Sequence, residues 1–249
     1  MQKKLFTSQS IIRKNKINST NNFALELLKS RNPAAGTVVL TLNQTKGRGQ
    51  QTNSWESESG KNLTISIILR PEFLPITQQF HISMLISLGV YDYLCNYLEN
   101  VSIKWPNDIY VGDKKIAGIL IENSIMGSVL STSVCGIGLN VNQSKFISDA
   151  PNPISLLNCT GKEYDLETEL EKLLICIEKR YYQLKNDFFM QMEKDYLDKL
   201  YWHNEDHSFE DENGLFTGRI VGISNWGQLR IEAEEGERIY NFKEVSFIK

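Results

Sequence analysis

The stretch that decides the fold is Ser102–Glu122, SIKWPNDIYVGDKKIAGILIE. Ile103 to Trp105 lead into a turn around Asn107 and Asp108. A short strand continues through Val111, Gly112 and Asp113 turn the chain again, and Lys115–Glu122 is an almost wholly apolar run. Turn residues between β-rich runs predict consecutive hairpins. One residue stands out in that frame: Lys115 puts an ammonium at the entrance of a strand that then loses side-chain bulk at Ala117 and Gly118. A ligand lying across that backbone would bring its anion to the lysine. The alternative is a strand-end lysine whose stem packs while its charge reaches water. Trp105 is expected to pack beneath the turn that presents Asn107. Asn107 offers a donor and an acceptor to a purine edge or ribose, or stabilises a type I turn through its own side chain. Asp108 is a single carboxylate, weak grounds for a magnesium site by itself.

Downstream, VLSTSVCGIGLNVN reads as a strand ending at Gly136 and Gly138, where missing side chains allow close approach to the backbone. Upstream, Thr37–Leu42 and Asn62–Arg70 are β-branched enough for buried strands. The polar loop between them, Gln44 to Lys61, exceeds the roughly 12 to 15 residues usual for an unstructured connection and reads as a lid or binding loop. Within it Gly47 and Gly49 flank Arg48, so flexible backbone can carry a guanidinium onto a phosphate or carboxylate; a solvated loop is the plain alternative. The glycines fit neither the phosphate-loop pattern ending in Gly-Lys-Ser/Thr nor a dinucleotide-binding Gly-x-Gly-x-x-Gly. Ser19–Asn22 can cap a helix over FALELLK. Pro75 opens a long helix expected to reach about Glu99. Helical periodicity returns from Asp165 to about Asp187 and again to about Trp202. From His207 onward short β-rich runs alternate with glycine and asparagine turns, which predicts a small all-β barrel of roughly 40 residues. The division expected is residues 1–206 and 207–249.

The 249 residues carry a net charge of -3, which argues against a protein that clamps nucleic-acid backbone. No apolar run approaches the roughly 18 residues of a membrane span. The first sixteen residues carry no secretory signal, so the compartment expected is cytoplasmic. Four scattered cysteines without C-x-x-C suggest neither zinc nor a disulfide framework. No Ser-His-Asp arrangement points to covalent hydrolase chemistry.

Four motifs, taken in order, resemble the biotin protein ligase family: Ser19-Thr20-Asn21, the Gly47-Arg48-Gly49 loop ending at Trp55, KWPNDIY from Lys104 with KKIAGILIE, and GIGLNVN from Gly136. The resemblance spans essentially the whole chain. It implies an α/β (α+β) catalytic domain with a mixed sheet, related to class II aminoacyl-tRNA synthetases and lipoate ligases, followed by an SH3-like β barrel. The implied reaction joins biotin to ATP as biotinyl-5'-adenylate, releases pyrophosphate with Mg2+ accompanying ATP, and transfers biotin to a lysine of a biotin carboxyl carrier protein. By the same resemblance Lys115 and Arg48 are catalytic. Ser19, Thr20, Asn21, Gln44, Gly47, Arg48, Lys115, Gly118, Gly136 and Gly138 line the biotin side, and Arg48, Gln50, Trp55, Asn107, Lys115 and Asn140 the adenylate side; metal ligands are not assigned. A DNA-binding helix-turn-helix has no room before residue 19, so no DNA partner and no repressor role are expected; a monomer or homodimer is. The family's loop often carries a further basic residue where this chain has Gln50, which implies weaker retention of the adenylate, with Lys46 or Lys61 as compensating cations. The rival readings are a lipoate ligase, separable by competition between the two acids, and a non-catalytic biotin sensor, which would bind without releasing pyrophosphate.

Overall fold

Residues 4–50, 53–147 and 152–249 are described here, from a computed structural model of the chain. In chain order the elements are β1 (Ile11–Ile17), α1 (Thr20–Ser30), β2 (Thr37–Gln44), β3 (Leu63–Leu69), α2 (Phe80–Leu94), β4 (Val101–Lys104), β5 (Asp108–Val111), β6 (Lys114–Met126), β7 (Val129–Leu139), α3 (Leu156–Thr160), α4 (Leu166–Lys185), α5 (Phe189–Asp198), β8 (Asp206–Asp211), β9 (Gly214–Ile223), β10 (Leu229–Ala233), β11 (Gly236–Tyr240) and β12 (Ser246–Ile248). The opening stretch forms β4, β5 and β6 as consecutive antiparallel hairpins.

Among the described residues the large sheet has seven strands in the order β1-β2-β3-β7-β6-β5-β4. It is mixed: β1 runs parallel to β2 through the crossover helix α1, and the other neighbours are antiparallel. The side-chain period of two divides each central strand between two faces. Val38, Leu40, Ile65, Ile67, Cys135, Ile137 and Leu139 enter the main core with α2 and α4, while Val39, Ile68 and Val134 pack with Ala24 of α1 on the other face. Burial on both faces is why β2 and β3 read as near-continuous apolar runs.

The same alternation sets Thr64, Ser66, Gly136, Gly138 and Gly118 on the α1 face. Register aligns Thr64 with Gly138 and Gly138 with Gly118, and Ser66 with Gly136 in the adjoining row. A patch of small residues therefore lies beside α1.

The sequence did not single out β1, whose centre is the polar Arg13-Lys14-Asn15-Lys16 and which is largely exposed at the sheet edge. The short α3 is also additional. The helix expected to run to Glu99 stops at Leu94, after which turns carry the chain to β4. The C-terminal residues form a five-stranded antiparallel sheet, β11-β10-β9-β8-β12, around Phe209, Ile220, Leu229 and Ile231, consistent with the small barrel the resemblance implied. Trp105 is buried but does not simply underlie its own turn. Its indole Nε1 donates to the carbonyl of Gly227 at 2.8 Å and its ring meets Phe242 edge-on. The aromatic residue of the opening stretch thus fastens the second sheet to the first.

Candidate active site

A cleft of 1020 Å3 lies over the small-residue patch, on the α1 face of the large sheet. Its walls come from the N-terminus of α1, the loop after β2, the β6 and β7 glycines, the turn between β4 and β5, and the segment Phe242–Phe247 of the second sheet. Every site residue expected from the sequence lines it except Gly47. A Cβ at Gly47 would stand 2.2 Å from the carbonyl oxygen of Trp55, so this glycine lets the loop close on itself. Gly47 also accepts from Trp55 N–H, and Arg48 pairs with Ser54 as a single antiparallel bridge. The loop is therefore a compact flap; its Gln51 and Thr52 lie outside the described residues.

At one end of the cleft the groups are neutral and polar. Ser19 caps α1 by accepting from Asn22 N–H, as its position before the apolar periodicity predicts. Gln44 Oε1 accepts from Thr20 N–H at 2.8 Å, which leaves the Gln44 amide nitrogen as the donor of that pair. Asn21, 3% exposed, donates to the Glu122 carboxylate at 2.8 Å and accepts from Ser66. The bulk absent at Gly136 is occupied by Asn21, and that absent at Gly138 and Gly118 by the Trp55 indole: an added Cβ would lie 2.3 Å from Asn21 Oδ1, 2.2 Å from Trp55 Cε2 and 3.0 Å from Trp55 Cζ3 respectively. The glycines were expected to leave room for a ligand. They make room first for these two side chains, and the ligand's space lies around them.

At the centre, Lys115 Nζ is 2.7 Å from Asp108 Oδ1 and 5.8 Å from the Trp55 ring centroid. Arg48 Nη2 is 2.9 Å from Glu122 Oε1, and its Nη1 donates to Asn22 Oδ1. Both candidate cations are thus within the cleft, each held by a carboxylate. Asn107 is buried, and its side-chain amide donates to the Ile119 carbonyl while its own carbonyl accepts from Ile119 N–H, so it braces β6 as well as lining the cleft. Asn140 donates to Ile154 O at 3.0 Å, and among the described residues its Oδ1 has no hydrogen-bond partner, nor do Trp55 Nε1 and Gln50 Oε1. Buried polar atoms without partners are uncommon. Three of the six such atoms among the described residues lie at this cleft, open to pairing with a polar ligand.

Sequence reasoning missed Glu122 and Asn22 as the partners of Arg48, and missed the contribution of Phe242–Phe247. It gave Lys46 and Lys61 as compensating cations, but neither lines the cleft, and Lys61 sits 3.5 Å from Glu163 outside it. Among the described residues no cluster of three metal-ligating side chains occurs.

A profile of the biotin/lipoate A/B protein ligase family matches residues 14–140. The bifunctional ligase/repressor BirA of Bacillus spizizenii is 31% identical over 246 residues, covering 94% of this chain and 73% of the relative. The biotin–[acetyl-CoA-carboxylase] ligase of Paracoccus denitrificans is 28% identical over 236 residues, with 92% and 97% covered. The solved structure of a biotin protein ligase from Aquifex aeolicus in complex with biotin and ATP superposes with a TM-score of 0.79 at 29% identity, over 96% of this chain and 98% of that one.

Proposed function

The chain belongs to the biotin/lipoate A/B protein ligase family, and we propose that it is a biotin protein ligase, which activates biotin with ATP and transfers it to a lysine of a biotin carboxyl carrier protein. The observation that carries this reading is the set of groups gathered in one cleft: neutral polar side chains at Ser19, Thr20 and Gln44, cations at Arg48 and Lys115, and the amides Asn107 and Asn140.

Biotin's ureido ring meets the neutral end and its carboxylate points to Lys115. That carboxylate attacks the α-phosphorus of ATP, and pyrophosphate leaves. Lys115 exchanges Asp108 for the carboxylate and α-phosphate and neutralises the charge that develops between them; donors placed in this way contribute roughly 3 kcal/mol each. Arg48 exchanges Glu122 for the ligand's anionic centre and carries the flap down with it. Trp55 closes over the adenylate, and Asn140 Oδ1 and Asn107 face its adenine and ribose. In the second step the carrier's lysine amine attacks the activated carbonyl and AMP leaves. Mg2+ fits the site as a companion of ATP, since this ion commonly takes one or two carboxylates plus substrate phosphates. Asp108, which lines the cleft beside Lys115, is the residue that would hold it once Lys115 turns to the ligand, and the ion would supply charge neutralisation on the phosphates. The compartment proposed is the cytoplasm; among the described residues no helix is long and apolar enough to cross a membrane.

The test is to incubate the chain with ATP, Mg2+ and an apo carrier domain, with biotin in one arm and lipoate in the other, and to weigh the carrier by mass spectrometry. One biotinyl addition in the biotin arm alone is the expected result. Lipoyl addition, or none in either arm, would overturn the assignment.

A further inference from the structure

Two further lysines stand in the wall of the cleft. Lys104 ends β4, and Lys243 sits in the turn between β11 and β12 of the second sheet. Among the described residues neither has a carboxylate oxygen within ion-pair distance, in contrast to Lys115 and Arg48. The Lys104 ammonium lies between aromatic faces, 5.1 Å from the centroid of Tyr110 and 4.7 Å from that of Phe247, and its burial lowers its pKa. Lys243 is an exposed turn residue with φ +69°, a left-handed conformation uncommon outside glycine.

Strand order fixes where these charges stand. Across the large sheet the cleft passes from Gln44 on β2, over Thr64 and Gly138 on β3 and β7, to Lys115 on β6, and then to Lys104 on the edge strand β4, beyond which the second sheet closes it. In phosphoryl chemistry the attacking and leaving oxygens lie roughly in line on opposite sides of phosphorus. A carboxylate arriving from the β2 side at Lys115 therefore expels its leaving group toward β4. We infer that Lys104 and Lys243 form the seat of the departing pyrophosphate, a subsite shared between the two sheets. A biotin carboxylate oxygen bonds to the α-phosphorus, the bond from that phosphorus to the bridging oxygen breaks, and its electron pair leaves on pyrophosphate with no proton transferred. Charge grows on the leaving group, and cations without a carboxylate of their own meet it there. The inference rests on the ligase reading and gives the second sheet a part in the first half-reaction.

The experiment titrates inorganic pyrophosphate into the full chain by calorimetry, for wild type, Lys243→Gly and Lys104→Met, and measures the KM of ATP and of biotin in biotin-dependent turnover. Wild type is expected to bind pyrophosphate, and each variant to bind it at least about fivefold more weakly, the scale of losing one charge-assisted contact partly open to water. The KM for ATP rises and that for biotin does not. Lys243→Gly melts no lower than wild type, because glycine accepts the left-handed backbone, so a fold defect would not produce this pattern. Wild type that ignores pyrophosphate, or variants that bind it equally well, would overturn the subsite while the ligase reading stands. Pyrophosphate binding without any biotin-dependent turnover in wild type would overturn both.

Discussion

Lys115 and Arg48 each hold a carboxylate of their own chain, Asp108 at 2.7 Å and Glu122 at 2.9 Å. In the proposed reaction the anion that either cation takes must displace that carboxylate. That Lys115 and Arg48 line one cleft was legible in the sequence because Lys115 breaks an apolar strand and Gly47 and Gly49 flank a permanent cation. Their partners were not: Glu122 is 74 positions from Arg48 and only the folded register brings them together. Among the described residues Gln50 Oε1 has no partner at the cleft, and the Gln50 amide can donate to a phosphate oxygen without adding charge. Gln50→Arg is expected to slow dissociation of the biotinyl adenylate about tenfold, the loss or gain of one charged hydrogen bond in a partly exposed site, read by rapid filtration after adenylate formation. Equal dissociation rates would remove Gln50 from adenylate retention.

Among the elements, β7 was the most legible, because the alternation Cys135-Gly136-Ile137-Gly138-Leu139 states which face is core and which is open. β1 was illegible for the opposite reason: an edge strand with a charged centre looks like solvated chain. The surroundings of the early end of α2 are visible only in three dimensions: Tyr93, on its last turn, and Tyr97, just beyond it, both donate to the Glu169 carboxylate of α4. Glu169 is 2% exposed and also accepts from Lys172 at 2.9 Å. Burial pushes its pKa up, but the hydrogen bonds from Tyr97, Tyr93 and Lys172 outweigh that and hold it below its ordinary 4.5. A carboxyl with a lowered folded pKa contributes stability above its unfolded value, and that contribution disappears as pH falls through the folded one. Glu169→Gln is therefore expected to lose about 1–3 kcal/mol at neutral pH and to show a smaller further loss than wild type below about pH 4.5. Urea unfolding from pH 3 to 7 checks this; parallel pH profiles would contradict it.

For the whole molecule, the β-rich tail announced the strands of the second sheet, but nothing in the sequence showed that this sheet and its turns complete the cleft. The link is Trp105, which a single-chain reading assigns to its own turn because the Gly227 carbonyl is 122 positions away. Trp105→Phe keeps an aromatic ring and leaves that carbonyl without its donor, at a cost of about 1–3 kcal/mol. Hydrogen exchange is expected to quicken in β9 and β10 while β3 stays protected, with ATP binding weakened more than biotin binding. Unchanged exchange in the second sheet would show that other contacts hold it. The central claim is that the cleft adenylates biotin through Lys115, and one measurement addresses it directly: pyrophosphate release by the purified chain with ATP and Mg2+, with biotin, lipoate or neither, beside a Lys115→Ala control. Release that requires biotin and falls by roughly 10²- to 10³-fold in the control is the result predicted. A folded chain that binds biotin but releases no pyrophosphate, or a Lys115→Ala variant as active as wild type, would contradict it.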